Sequence, residues 1–225
     1  MQGHTRSAVV LTACIVASQA QAGVIINEVD YDQPGADTAE FIELFNSSGQ
    51  TVALNGFSLE LINGTSSASY RSIDLSGFSM QQGAYLVVCT DAALVLNCDH
   101  VFAGTSSWLQ NGAPDGIALL DGNEVVDAVT YEGQITGYTE GGALLLADSN
   151  SVLMSLARMP DGGDSDNNFS DFGSACITPG TMNIAGSGDC SMLSVTPVPV
   201  PAAVWLFASG LLGLAGVARG NGAIV

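Results

Sequence analysis

Along residues 24–131, apolar side chains recur with a period of two, in runs of five to eight residues broken by clusters of Gly, Asn, Asp and Ser. Successive side chains of a strand point to opposite faces, so this alternation predicts half-buried strands over 24–31, 40–46, 57–62, 70–74, 84–89, 116–121 and 124–131. The period is cleanest in Phe57-Ser58-Leu59-Glu60-Leu61 and in Val125-Val126-Asp127-Ala128-Val129. Between the last two strands, Asp121-Gly122-Asn123 supplies the glycine that a tight hairpin needs. Seven short strands in about 110 residues imply an all-β sandwich or barrel. After Gly137 the period fades, leaving two apolar stretches at 143–146 and 152–157.

The ends of the chain break the pattern with longer apolar runs. Residues 8–17 follow His4 and Arg6 and precede Ser18-Gln19-Ala20-Gln21-Ala22, the layout of a secretory signal. Ala20 and Ala22 provide the small side chains that signal peptidase selects, which predicts cleavage before Gly23. Leu11-Thr12-Ala13-Cys14 has the residue types of a lipobox, but the apolar stretch before Cys14 is short and the chain stays apolar after it. The secretory reading is therefore preferred. At the other end, residues 198–218 carry no charge, and a helix of that length spans about 31 Å, one hydrocarbon core. With Arg6 and Arg219 flanking the two apolar segments, the positive-inside rule places the middle of the chain outside the membrane.

Composition sharpens this division. The 225 residues hold 22 Asp plus Glu against four Lys plus Arg. Arg6 and Arg219 belong to the ends, which leaves every carboxylate with only Arg71 and Arg158, a net charge near −20. Such a surface repels phosphate backbones, so nucleic acid is an unfavourable partner and cations are favourable ones. Cys89, Cys98, Cys176 and Cys190 remain after signal removal, an even number suited to two disulfides in an oxidising compartment. Three connectivities exist, and the local pairs Cys89 with Cys98 and Cys176 with Cys190 are the economical one. A zinc site is disfavoured, since no C-x-x-C spacing occurs and His100 is the only histidine outside the signal.

Two resemblances follow from longer motifs. The sequence Val198-Pro199-Val200-Pro201-Ala202-Ala203-Val204-Trp205-Leu206-Phe207, continuing to Arg219, resembles the PEP-CTERM sorting signal of Gram-negative bacteria in its VPxPAAxWLF variant. This resemblance implies an exosortase-type partner, an inner-membrane intermediate and delivery to the cell surface or the extracellular biofilm matrix. Val200 stands where the name-giving glutamate is usual, and residues 220–225 lack the usual basic cluster. The middle resembles the secreted bacterial lamin-tail domain (LTD). Val24-Ile25-Ile26-Asn27-Glu28-Val29-Asp30-Tyr31 and Glu40-Phe41-Ile42-Glu43-Leu44-Phe45-Asn46 match its opening. Asn111-Gly112-Ala113-Pro114-Asp115-Gly116 and Val125-Val126-Asp127-Ala128-Val129 match its later strands, and Ser155-Leu156-Ala157-Arg158 with Thr178-Pro179-Gly180 match its closing segment. The resemblance implies an immunoglobulin-like β-sandwich used for interaction or anchoring. The expected organisation is a signal peptide at 1–22, the sandwich at 23–184, a linker at 185–197, a transmembrane sorting segment at 198–219 and a short tail at 220–225.

Three clusters are candidates for chemistry. Glu28, Asp30, Asp32 and Asp37, with Glu40 and Glu43 beyond, could hold a hard cation or act as acid and base. The preferred reading is that Asn27, Glu28 and Glu40 or Glu43 hydrogen-bond backbone within the sandwich. Asp161, Asp164, Asp166, Asn168 and Asp171 offer closely spaced oxygen ligands for calcium, the one cofactor the sequence raises. The order is not that of an EF-hand, and the same residues are ordinary turn formers, which is the preferred reading. His100 beside Asp99 has no nucleophile motif to serve, and the sequons at Asn46, Asn63 and Asn168 carry no weight in a bacterial setting.

The function these observations favour is a non-catalytic surface or matrix protein whose partner is another surface protein or a polysaccharide. A calcium-dependent adhesin and an accessory domain of secreted-nuclease lineage are the alternatives. The nuclease reading suffers from the charge and from the lack of sequence for a catalytic fold. Acidity as adaptation to salt is compatible with the favoured reading.

Overall fold

Branched and aromatic side chains at alternate positions build two packed sheets in this computed structural model, which describes residues 23–102, 108–143 and 146–186. In chain order the strands are β1 (Ile25–Asp30), β2 (Phe41–Phe45), β3 (Val52–Ala53), β4 (Phe57–Asn63), β5 (Ala68–Asp74), β6 (Ser79–Met80), β7 (Tyr85–Cys89), β8 (His100–Val101), β9 (Asp115–Asp121), β10 (Glu124–Tyr131), β11 (Ser155–Arg158) and β12 (Phe172–Ala175). A single turn of helix, α1 (Asn168–Asp171), precedes β12. One sheet runs β12-β11-β1-β2-β7-β8, the second β10-β9-β4-β5, and β3 pairs with β6 alone. All pairings are antiparallel except β7 with β8. The chain divides into two compact units, residues 1–190 and 191–225, and the described residues all belong to the first.

Between the sheets lies the main core. Ile26, Val29, Ile42, Leu44 and Val88 from one sheet meet Leu59, Leu61, Ile73, Ile117, Leu119 and Val129 from the other. The phase of β1 needs a β-bulge. Ile26 pairs with Leu44 but Glu28 with Glu43, so Asn27 is the extra residue. The bulge turns both Ile26 and Val29 inward, and Glu28 and Asp30 consequently face out. That outer face is not wet: every residue of β1 is buried, because the segment after β11 folds back over it.

All seven predicted strands are present with ends shifted by at most two residues. The stretch 152–157 overlaps β11, which begins at Ser155 and ends one residue beyond the stretch, whereas no strand covers 143 or 146. The two-residue strands β3, β6 and β8, and β12, are additions to the prediction. Cys89 and Cys98 form the expected disulfide, with Cα atoms 5.9 Å apart. Cys176 is also disulfide-bonded, while Cys190, its expected partner, lies outside the described residues. So do the signal segment 1–22 and the sorting segment with Val198, Pro199, Val200, Pro201 and Arg219. Among the described residues no helix is long and apolar enough to cross a membrane.

Candidate functional site

The outer face of β1 and β2 presents two glutamates side by side, and the closing segment supplies their donors. Glu28 accepts from Thr178 N–H at 2.9 Å, from Thr178 Oγ1 at 2.9 Å and from the Ser155 hydroxyl. Glu43 accepts from Asn27 Nδ2 at 2.8 Å and from Gly180 N–H at 2.6 Å. Asp161 completes the group, accepting from Asn27 Nδ2 at 3.0 Å, Tyr85 OH at 2.7 Å and Asn183 N–H at 3.1 Å. Asn27, placed at the bulge, also accepts from Gly162 N–H through Oδ1 at 2.9 Å. The extra residue of the strand is thus the hinge pin between β1 and the segment that covers it. The preferred reading of Asn27, Glu28 and Glu43 as backbone-binding residues matches this geometry, and Glu40 does the same for Trp108 N–H at 2.8 Å.

These carboxyls sit where water does not reach. Desolvation pushes Glu28 up to about 7, against the opposing donors Ser155 and Thr178. It pushes Glu40 and Glu43 up to about 8 each. Burial and the neighbouring Asp148 hold Asp30 well above the ordinary carboxylate range, and Asp148 in turn accepts from Tyr31 N–H at 2.9 Å. Among the first candidate cluster only Asp32 and Asp37 are left toward solvent, and Asp37 accepts from Gln33 N–H at 3.1 Å. Perturbed carboxyls mark functional sites when a cleft gives substrate access. Here Glu28, Glu40 and Glu43 are fully buried, and their partners are the protein's own backbone and side chains.

A second network joins the two sheets. Arg158, on the inner face of β11 and fully buried, donates to Asp127 at 2.9 Å, to Asp164 at 3.1 Å and to Asp171 at 3.1 Å. Its Nε donates to Ile26 O at 2.8 Å, and its guanidinium lies 4.7 Å from the centre of the Phe172 ring. Asp127 and Val129, two residues apart beyond a bulge between Val125 and Asp127, share a face of β10, and Asp127 also accepts from Ile26 N–H. Asp127 and Arg158 therefore bolt the edge of one sheet to the other.

Of the five residues read as a calcium loop, Asp161 falls in the first network, Asp164 and Asp171 in the second, and Asp166 and Asn168 in neither. Asp161 serves Asn27, Tyr85 and Asn183. Asp171 takes Ser165 N–H at 2.8 Å and Oγ at 2.7 Å along with Arg158. Asp164 takes Asp166 N–H at 3.2 Å, Asp166 itself is exposed, and Asn168 donates to Ala128 O at 2.6 Å. The geometry gathers a different set instead: Asp127, Glu140 and Asp164 bring one carboxylate oxygen each to within 4.8 Å of one another. No sequence motif marks Glu140, which stands in a stretch without apolar period. His100 packs edge-on against Phe78, with ring centres 5.3 Å apart.

Hollows open on the surface of the described residues, and two of them differ in character. A polar one of about 330 Å³ is lined by Asn63, Gln110, Asn111 and Asp115. An apolar one of about 220 Å³ is lined by Phe41, Val95 and Ile177, with Leu94 and Leu96 at its rim, 55% and 76% exposed.

Two packed and almost wholly antiparallel sheets, whose buried carboxyls fasten the protein's own segments, define an all-β sandwich of the immunoglobulin-like kind. The chain belongs to the lamin tail domain family, whose model matches residues 17–133, just over half of its length. The match ends shortly after β10, so the closing segment and Arg158 lie beyond it. No curated protein matches the chain.

Proposed function

We propose that the protein is a non-catalytic module, exported by its N-terminal signal, sorted through its C-terminal segment by an exosortase-type enzyme, and displayed at the cell surface or in the extracellular matrix. The observation that carries this reading is the commitment of the buried carboxyls. Glu28 is satisfied by Ser155 and Thr178, Glu43 by Asn27 and Gly180, Asp161 by Asn27, Tyr85 and Asn183, and Asp127 by Arg158 and Ile26 N–H, which suits structural work and leaves binding to the exposed surface. The acidic exterior and the leucine-rimmed hollow suit a surface protein or a polysaccharide, and they suit nucleic acid poorly.

Expression of the full chain in an exosortase-bearing Gram-negative host tests this. The expected result is a mature N-terminus at Gly23 and recovery from the surface or matrix fraction, lost when residues 198–219 are deleted. A chain retained in the cytoplasm with Met1 intact refutes the sorting reading. Turnover of nucleic acid or glycan substrates that falls on Asp164→Asn refutes the non-catalytic one.

A further inference from the structure

We propose that Asp127, Glu140 and Asp164, together with the side-chain carbonyl of Asn168, form a divalent-cation site suited to calcium at the free edge of β10. The three carboxylate oxygens within 4.8 Å of one another are spaced as ligands around one ion, since calcium–oxygen bonds of about 2.3–2.6 Å put ligand atoms up to about 5 Å apart. An acidic cluster alone would not require an ion. Two leftover acceptors do point to one.

Asn168 is fully buried, and its Oδ1 has no hydrogen-bond partner among the described residues. Glu140 Oε2 is likewise buried without a partner. The two groups are neighbours by three bonds. Ala128 N–H donates to Glu140 Oε1 at 2.8 Å, Asn168 Nδ2 donates to Ala128 O at 2.6 Å, and Asn168 N–H donates to Glu140 O at 3.3 Å. The N–H and C=O of one strand residue point the same way, so the amide and the carboxylate stand together on the unpaired side of β10, each with an oxygen to spare. Buried acceptors are rarely left unmet, because their lost hydration is then not replaced.

Charge leads to the same place. Arg158 already serves Asp127, Asp164 and Asp171, so with Glu140 ionised four carboxylates face one guanidinium. Both oxygens of Asp127 are engaged, by Arg158 and by Ile26 N–H, and each retains a lone pair for a metal. Asp164 is bonded through Oδ1, and its other oxygen is available. Four protein oxygens with water completing the shell give a modest site, in the range of about 0.1–1 mM found in extracellular calcium modules. The competing occupant is a proton on Glu140, which burial and the nearby Asp127 hold well above the usual carboxyl range.

The site stands whether or not the protein is displayed at a surface, and its test needs no localisation. The purified full chain is stripped with EDTA, and its thermal midpoint and calorimetric binding are followed with calcium and with magnesium at fixed ionic strength. Calcium at about 10 mM should raise the midpoint by a few degrees, and magnesium should do so less. Glu140→Gln keeps an acceptor for Ala128 N–H, so it should fold, yet lose at least tenfold in calcium affinity; Asp164→Asn should lose the same. Asp166→Asn, in the exposed part of the loop, should bind as the parent does. A parent chain indifferent to about 10 mM calcium overturns the proposal, as does a Glu140→Gln variant that responds like the parent. A Glu140→Gln variant stabilised in EDTA, with the parent indifferent to calcium, assigns the oxygen to a proton and also overturns it.

Discussion

Replacing Arg158 by methionine removes the guanidinium while keeping most of the apolar stem. The loss is one of pairing, because Asp127, about 1% exposed at its side chain, keeps only the Ile26 N–H as donor. Breaking a buried ion pair on one side costs about 3–5 kcal/mol, since the surviving charge is left in a medium that cannot solvate it. Asp164 and Asp171 lie nearer to water and retain the donors Asp166 N–H and Ser165, so they add little. Against the roughly 5–15 kcal/mol by which domains are stable, this is a large fraction. For a domain of this size it corresponds to a midpoint drop of about 6–20 °C. Urea unfolding in EDTA measures it directly. The companion variant Asp127→Asn with Arg158→Met removes the stranded charge and leaves an oxygen for Ile26 N–H, and it should recover about 2 kcal/mol or more of the loss. A single substitution costing less than about 1 kcal/mol, or a double variant whose loss is the sum of its parts, would show that the sheets are not bolted at this pair.

Other consequences follow from the same geometry. Glu28, Glu40 and Glu43 titrate at about 7 to 8 when folded and near 4.3 when unfolded, so the folded state holds more protons; stability is fully present below about pH 4, and falls as pH rises through 7 and 8. Urea midpoints should drop from pH 5 to pH 8.5 by an amount reduced in Glu43→Gln, and a midpoint that rises over that interval contradicts the assignment. Gly64→Ala should be severely destabilising, by about 3 kcal/mol or more, because its Cβ would lie 1.9 Å from the carbonyl oxygen of Pro114, a clash that backbone cannot yield to cheaply; a thermal midpoint unchanged from the parent counts against the packing described. Loss of the Cys89–Cys98 bond, which closes a loop with a sequence separation of nine, should cost about 2–3 kcal/mol in a Cys89→Ala, Cys98→Ala chain, read from denaturant unfolding.

The sandwich was legible because its strands are amphipathic. In β4 the alternation survives into the structure, with Leu59 and Leu61 buried and Ser58 and Glu60 half-buried, and the hairpin at Gly122 joins β9 to β10 as the turn residues indicate. What escaped was whatever depends on distant residues. β12 contains Gly173 and Ser174 and has no apolar period, and it exists because β11 offers it a partner. β1 reads as half-polar with Asn27, Glu28 and Asp30, yet it is buried on both faces because the residues after Arg158 cover it. The carboxylates were visible as a cluster, but the donors that set the role of Glu28 lie 127 and 150 positions away, and the one that holds Glu40 lies 68 away. Arg158 could have been suspected, as one of two basic residues amid all the acidic ones, but its partners come from both sides in sequence, and no spacing announces them.

The place of β1 also fixes the order in which the molecule can be finished. The first strand to be made lies between β2 and β11, in the interior of the larger sheet, and the atoms that satisfy Glu28 and Asn27 belong to Thr178 and Asn183. A chain delivered from its N-terminus can pair β1 with β2 early, but it must keep one edge of β1 open and its glutamates wet until nearly everything else has followed. Contacts of such long separation form slowly. Completion is therefore an event of the whole chain, and a product truncated before Ser155, which lacks the β11 that pairs with β1, should behave as an unfinished sheet with an adhesive edge rather than as a smaller domain.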